Sequence, residues 1–158
     1  VRNPFDRLHS AYHFLRAGGM DGLDLEFDQR VLKNFPSFEH FVLEGLENEE
    51  VTSFWHFIPQ SEFLASEDGS VHDFDFVGRY ETLAQDFEVV RARVNPSAEL
   101  PHFNRTPVKD GDYRRVYTPE MVDRVAQKYA PALDLLGYEF DGAKRPMKVP
   151  GSKSSAGR

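Results

Sequence analysis

Apolar residues recur at helical spacing from the first residues of the chain. Phe5, Leu8, Tyr12 and Leu15 share one face. Asn3 suits a helix N-cap, Pro4 costs nothing at the first helical position, and Asp6 complements the positive helix start. Gly18-Gly19 end the helix. Val1 reads as the last residue of a strand, so the opening unit is strand, tight turn, helix. Met20 to Asp24 reads as loop, Leu25 to Phe35 as a short helix stopped by Pro36. Ser37 caps a further helix that buries Phe38, Phe41, Val42 and Leu46.

The middle of the chain changes character. Val51 to Gln60 is rich in aromatic residues, and Pro59 forbids a regular helix through its end. Glu67-Asp68-Gly69 is a turn. Phe74 and Phe76 then alternate with Asp73 and Asp75, which predicts a strand over 71–77 with one buried face. Gly78 breaks it. Residues 79–94 read as a helix with an apolar stripe of Tyr80, Leu83, Ala84, Phe87, Val90 and Val94, ended by Asn95-Pro96. Thr118-Pro119 start another helix, with Met121, Val122, Val125 and Tyr129 facing inward. Pro131 breaks it, and Leu133 to Leu136 resume before Gly137. Residues 141–158 lack apolar periodicity and are expected to be a disordered tail.

Composition narrows the class. The 158 residues are one domain's worth, or a large part of one, and 14 Phe can build a core. No apolar run is long enough to cross a bilayer. The absence of Cys excludes disulfides, zinc-thiolate sites and thiol nucleophiles; it fits a reducing compartment and favours a bacterial cytoplasm over a Golgi lumen. A net charge of −7 argues against non-specific nucleic-acid binding. That charge sits between Met20 and Glu50, where 2 basic residues face 9 acidic ones (2 − 9 = −7). It reads as a solvated surface. Asp21, Asp24 and Asp28 lack the spacing of a calcium loop. His9 and His13 are one helical turn apart, but no third metal ligand is placed beside them.

Chemistry enters at the first turn. A helix N-terminus after a strand is an anion site. Arg2 brings a guanidinium fork to it and Ser10 a hydroxyl, a pair suited to a phosphate monoester. The run Arg2-Asn3-Pro4-Phe5-Asp6-Arg7-Leu8, with Ser10 and Tyr12, resembles the 3′-phosphate-binding motif of sulfotransferases, which use 3′-phosphoadenosine 5′-phosphosulfate (PAPS) as donor. Its continuation through Tyr12-His13-Phe14-Leu15-Arg16 is most similar to the carbohydrate branch, the heparan and chondroitin enzymes and their bacterial relatives. The resemblance implies that Arg2 and Ser10 hold the 3′-phosphate. His56-Phe57-Ile58-Pro59-Gln60 resembles that branch's His-aromatic-x-Pro-Gln element. It implies that His56 or Gln60 faces the acceptor sugar; otherwise His56 is a hydrogen-bonded structural histidine.

Gly78-Arg79-Tyr80-Glu81 resembles the family's strand-to-helix junction, with Arg79 and Glu81 expected as a packing salt link. Pro101-His102-Phe103-Asn104-Arg105-Thr106 resembles the loop that closes over the donor, and implies that Asn104, Arg105 and Thr106 contact the nucleotide. A local charge of +2 over residues 102–117 agrees with an anionic ligand there. Tyr129 to Tyr138 resembles the family's C-terminal closure.

The fold implied is an α/β domain of the P-loop NTPase kind, three layers α/β/α around a parallel sheet. The resemblance spans Val1 to about Phe140 but only the latter part of the family's domain. The Lys-bearing 5′-phosphosulfate loop and the catalytic base are expected to precede Val1, so the sheet is expected to be incomplete and this stretch alone inactive. The expected function is sulfo transfer to a carbohydrate hydroxyl, with no metal. The alternatives are a non-catalytic nucleotide- or glycan-binding module of the same fold and a nucleotide-handling kinase of similar architecture.

Overall fold

A computed structural model describes residues 1–68, 70–101 and 112–149. The chain divides into two compact units. One comprises residues 4–59 and 106–130, the other 1–3, 60–105 and 131–158.

The first of these is helical. Helix α1 (Pro4–Arg16) buries Phe5, Leu8, Tyr12 and Leu15, the face expected from their spacing. Helix α2 (Gly22–Arg30) starts earlier than the apolar pattern implies. Asp21 accepts the Leu23 and Asp24 N–H groups, and this cap recruits Gly22 into the helix despite its low propensity. The chain then tightens into a 3-10 turn at Leu32–Asn34. Ser37 caps α3 (Phe38–Leu43) by accepting the His40 N–H, and Asn48 caps the single turn α4 (Glu49–Thr52). After a long interval in sequence, α6 (Pro119–Lys128) returns with Thr118 as its cap and contributes Met121 and Val125 to the core.

Aromatic rings fill this core. Tyr12 lies 5.0 Å from Phe41, and Phe41 lies 4.9 Å from Phe57. The buried tyrosine hydroxyls need acceptors. Tyr12 donates to Phe35 O, Tyr117 to Phe5 O and Tyr129 to Phe57 O, at 2.8, 2.9 and 2.7 Å. Burial pushes the Tyr117 phenol well above its ordinary value, which keeps it a donor.

The other unit holds the short extended pieces. Strands β1 (Tyr138–Glu139) and β2 (Gly142–Ala143) pair antiparallel, with Tyr138 opposite Ala143. They follow α7 (Ala130–Leu136), whose Pro131 sits in its first turn. Gly137 separates helix from strand at φ 70°, and a Cβ there would meet Arg145 O at 2.2 Å. Residues 142–149 are therefore built in rather than forming part of the expected tail. Lys148 N–H donates to Leu135 O, and Val149 is buried. Residues 150–158 lie outside the described residues.

The strand expected over 71–77 is replaced by a single antiparallel bridge, Ala65 to Val71. Alternation alone does not make a strand; a partner must accept its hydrogen bonds. That condition is met only further on. Val1 donates to Gly78 O and accepts the Tyr80 N–H, both at 2.7 Å. The two bonds straddle Arg79 and form one rung in the pattern of a parallel ladder. The sheet among the described residues is the antiparallel β1–β2 pair, and the expected three-layer parallel sheet is not seen there.

The helix expected over 79–94 begins with a 3-10 turn at Tyr80–Thr82 and continues as α5 (Leu83–Val94). Its expected stripe is not buried: Tyr80, Leu83 and Val94 are exposed, and the one buried residue of α5 is Asp86. The Asp86 carboxylate accepts from the Arg79 N–H at 2.6 Å and the Thr82 hydroxyl at 2.8 Å. A carboxylate reaching back to the helix start satisfies donors that the helix itself cannot. No helix among the described residues is long and apolar enough to cross a membrane.

Burial lowers the pKa of His13, which packs against Tyr12 and His9, below its ordinary 6.5. His56 is lowered likewise. Below pH 6.5 the unfolded chain takes up these protons first, so stability present above that value is lost as pH falls through the folded pKa values. Urea midpoints should drop between pH 7.5 and 5.5, and His13→Gln should flatten part of that slope.

Candidate active site

The turn before α1 is held by side chains from distant sequence. Arg2 N–H donates to Gln60 Oε1 at 2.9 Å, and its guanidinium carbon lies 4.3 Å from the Tyr80 ring centroid. Asn3 N–H donates to Glu81 Oε1 at 2.7 Å, and the Asn3 side-chain amide donates to Glu139 O at 2.8 Å. Gln60 is thus brought to the Arg2 turn. Ser10 is half-buried on α1 and belongs to the other compact unit. Asn104, Arg105 and Thr106 lie outside the described residues.

Arg79 and Glu81 do not form the expected salt link with each other. They converge on Tyr138. Its hydroxyl donates to Glu81 Oε2 at 2.6 Å, while the Arg79 guanidinium carbon lies 4.4 Å from its ring centroid. Arg79 also donates to Leu136 O and Arg145 O, at 2.8 and 3.2 Å. Burial, with the Glu81 bond, raises the Tyr138 phenol far above its ordinary value, so it serves as a donor.

The second cluster surrounds His56. Its Nε2 lies 3.1 Å from Asp24 Oδ1, and Asp24 is only 2% exposed. Asp24 Oδ2 accepts the Met20 N–H at 2.9 Å. Burial lowers the imidazole's pKa, with Arg7 adding to the effect, while the Asp24 and Asp21 carboxylates oppose it. A carboxylate oxygen accepts, so the neutral imidazole carries its proton on Nε2 and leaves Nδ1 as an acceptor. Among the described residues no group that could hold a metal ion, three or more of His, Cys, Asp and Glu, is found; His9 and His13 pack edge to face, 4.5 Å apart.

A family model for sulfotransferases matches residues 1–139. The chain belongs to the sulfotransferase family. The chemistry of that family is sulfo-group transfer, a transferase activity that implies a sulfo-donor nucleotide and an acceptor. No curated protein and no solved structure matches the chain.

Reasoning from the sulfotransferase motifs missed Asp24. Its partner lies 32 positions away, and a loop aspartate read among possible calcium ligands gave no sign of it. One signal was present in Gly19. A Cβ at that position would come within 2.1 Å of Asp24 Cβ, and its φ is 64°. Only glycine allows the chain to turn so close to that carboxylate. Gly19→Ala should cost about 1–3 kcal/mol by denaturant unfolding, the range for backbone strain of this kind. Glu81→Ala should cost about 1–2 kcal/mol, because it leaves the Asn3 N–H and the Tyr138 hydroxyl without their acceptor.

Proposed function

We propose that the protein is part of an enzyme that transfers a sulfo group from PAPS to a carbohydrate hydroxyl. The observation that carries this reading is the family match over residues 1–139, which takes in the whole Arg2 to Tyr12 motif. On this reading Arg2 and Ser10 hold the nucleotide 3′-phosphate, and Asn104, Arg105 and Thr106 close over the donor. Gln60 keeps the Arg2 turn in shape, and His56 faces the acceptor. The Val1–Arg79 rung is then an edge of the parallel sheet of a P-loop-type α/β/α fold.

The division of labour is physically reasonable. The Arg2 N–H is already bonded to Gln60 and the Asn3 N–H to Glu81. On this reading a phosphate at this turn is held chiefly by the charge-assisted fork of the Arg2 side chain. The guanidinium over the Tyr80 ring loses part of its conformational freedom before any ligand arrives. Sulfo transfer has the needs of phosphoryl transfer: an in-line acceptor oxygen, neutralised charge on the leaving phosphate, and a group to take the acceptor proton.

Calorimetry with adenosine 3′,5′-bisphosphate tests the donor assignment. The bisphosphate should bind more tightly than adenosine 5′-phosphate, and Arg2→Ala should weaken it by about 1.5–3 kcal/mol. Equal affinity for the two nucleotides would overturn the reading.

A further inference from the structure

The residues around His56 form a column of rings that runs from core to surface. Phe27 is buried and stacks on Phe54 at 3.8 Å with the planes 3° apart. Phe54 stacks on Trp55 at 5.1 Å, and Trp55 meets His56 edge to face at 5.9 Å. The Phe14 ring lies 5.5 Å from the imidazole. Arg7 clamps the backbone around the histidine by donating to Ile58 O at 2.7 Å and Trp55 O at 3.2 Å. Trp55 nonetheless remains 44% exposed. A rigidly backed indole open to solvent, next to an imidazole whose Nδ1 is an acceptor, matches the two faces of a sugar ring. The axial C–H groups favour an aromatic surface, and the hydroxyls need directed polar partners.

Charge narrows the ligand. The groups that bear on His56 are the carboxylates of Asp24 and Asp21 and the guanidinium of Arg7. Arg7 is engaged with the carbonyls of Trp55 and Ile58. Residues 20–50 carry a net −7. A uronate-rich, polyanionic glycan would be repelled here, whereas an uncharged sugar would not.

We propose that Trp55 and His56 form the acceptor subsite for an uncharged pyranose. The indole stacks on the C–H face, and His56 Nδ1 accepts a hydrogen bond from a ring hydroxyl. Asp24 is the positioning residue that keeps the imidazole proton on Nε2. The inference rests on the sulfotransferase reading in taking the acceptor to be a carbohydrate.

Trp55 is the single tryptophan of the chain, so its emission reports this site alone. The 158-residue chain is titrated with hexasaccharides of glucose, galactose, mannose and N-acetylglucosamine, and with an alternating uronate–N-acetylglucosamine hexasaccharide. At least one neutral series should give a saturable change, with the uronate oligomer at least tenfold weaker. Binding should weaken on acidification, because protonated Nδ1 can no longer accept. Asp24→Asn should bind at least tenfold more weakly at pH 7.5 and lose the pH dependence, since an amide can donate to Nε2 and move the imidazole proton to Nδ1. His56→Asn, whose carboxamide oxygen can take the place of Nδ1, should stay within threefold of the parent with a flat pH profile. His56→Ala should lose binding, with circular dichroism confirming that each variant is folded.

Saturation by no neutral oligomer, tighter binding of the uronate oligomer, or undiminished binding by folded His56→Ala would each overturn the proposal. Should Asp24→Asn fail to fold, the contrast between His56→Asn and His56→Ala decides. The bisphosphate titration is read separately. Sugar binding without 3′-phosphate preference leaves the subsite standing and removes the donor assignment; the converse removes the subsite alone.

Discussion

The Glu81 carboxylate is the contact on which its compact unit depends. One oxygen accepts the Asn3 N–H and the other the Tyr138 hydroxyl, so residues 78 and 57 positions apart from it are tied through one group. Around it, Val1 pairs across Arg79, Gln60 accepts the Arg2 N–H, and Arg79 donates to Leu136 O and Arg145 O. These bonds carry charge on one partner or close long loops, and both properties raise their influence above that of an ordinary surface contact. Among the described residues of this unit the few strand-like contacts supply little cooperative pairing. Side-chain bonds to backbone groups therefore take over the work that a wider sheet would do.

The helical unit is held in a different way. Its core is a cluster of aromatic rings, and the hydroxyls of Tyr12, Tyr117 and Tyr129 are each satisfied by a backbone carbonyl. Rings are stiff and have few rotamers, so they fix positions at modest entropic cost. The column from Phe27 through Phe54 to Trp55 transmits that rigidity to the surface, where it holds an indole and an imidazole in a set relation.

Particular elements show what could be read from the residues and what could not. The buried face of α1, the Ser37 cap of α3 and the Thr118-Pro119 start of α6 follow local rules, and the structure has them as expected. The α2 start moved because Asp21 capped it, a local signal overshadowed by the glycine next to it. Residues 71–77 and α5 failed for a non-local reason. Their apolar patterns imply burial, but burial needs a partner surface, and periodicity names no partner. Of the candidate site residues, Arg2 and His56 were marked by motif. Gln60 was marked too, yet its bond to Arg2 was not foreseeable, and Asp24 was marked only as one of several loop acids.

By itself the sequence determined where α1, α3 and α6 begin, which face of α1 is buried, and which family the chain belongs to. These depend on backbone sterics, capping and residue order, all of which act within a few positions along the chain. Only the tertiary structure decided that Glu81 joins Asn3 to Tyr138, that Asp24 sets the tautomer of His56, and that Trp55 stands exposed on a stack of rings. Those contacts join residues far apart in the chain, and an isolated carboxylate or indole has the same local propensity whatever it will eventually touch.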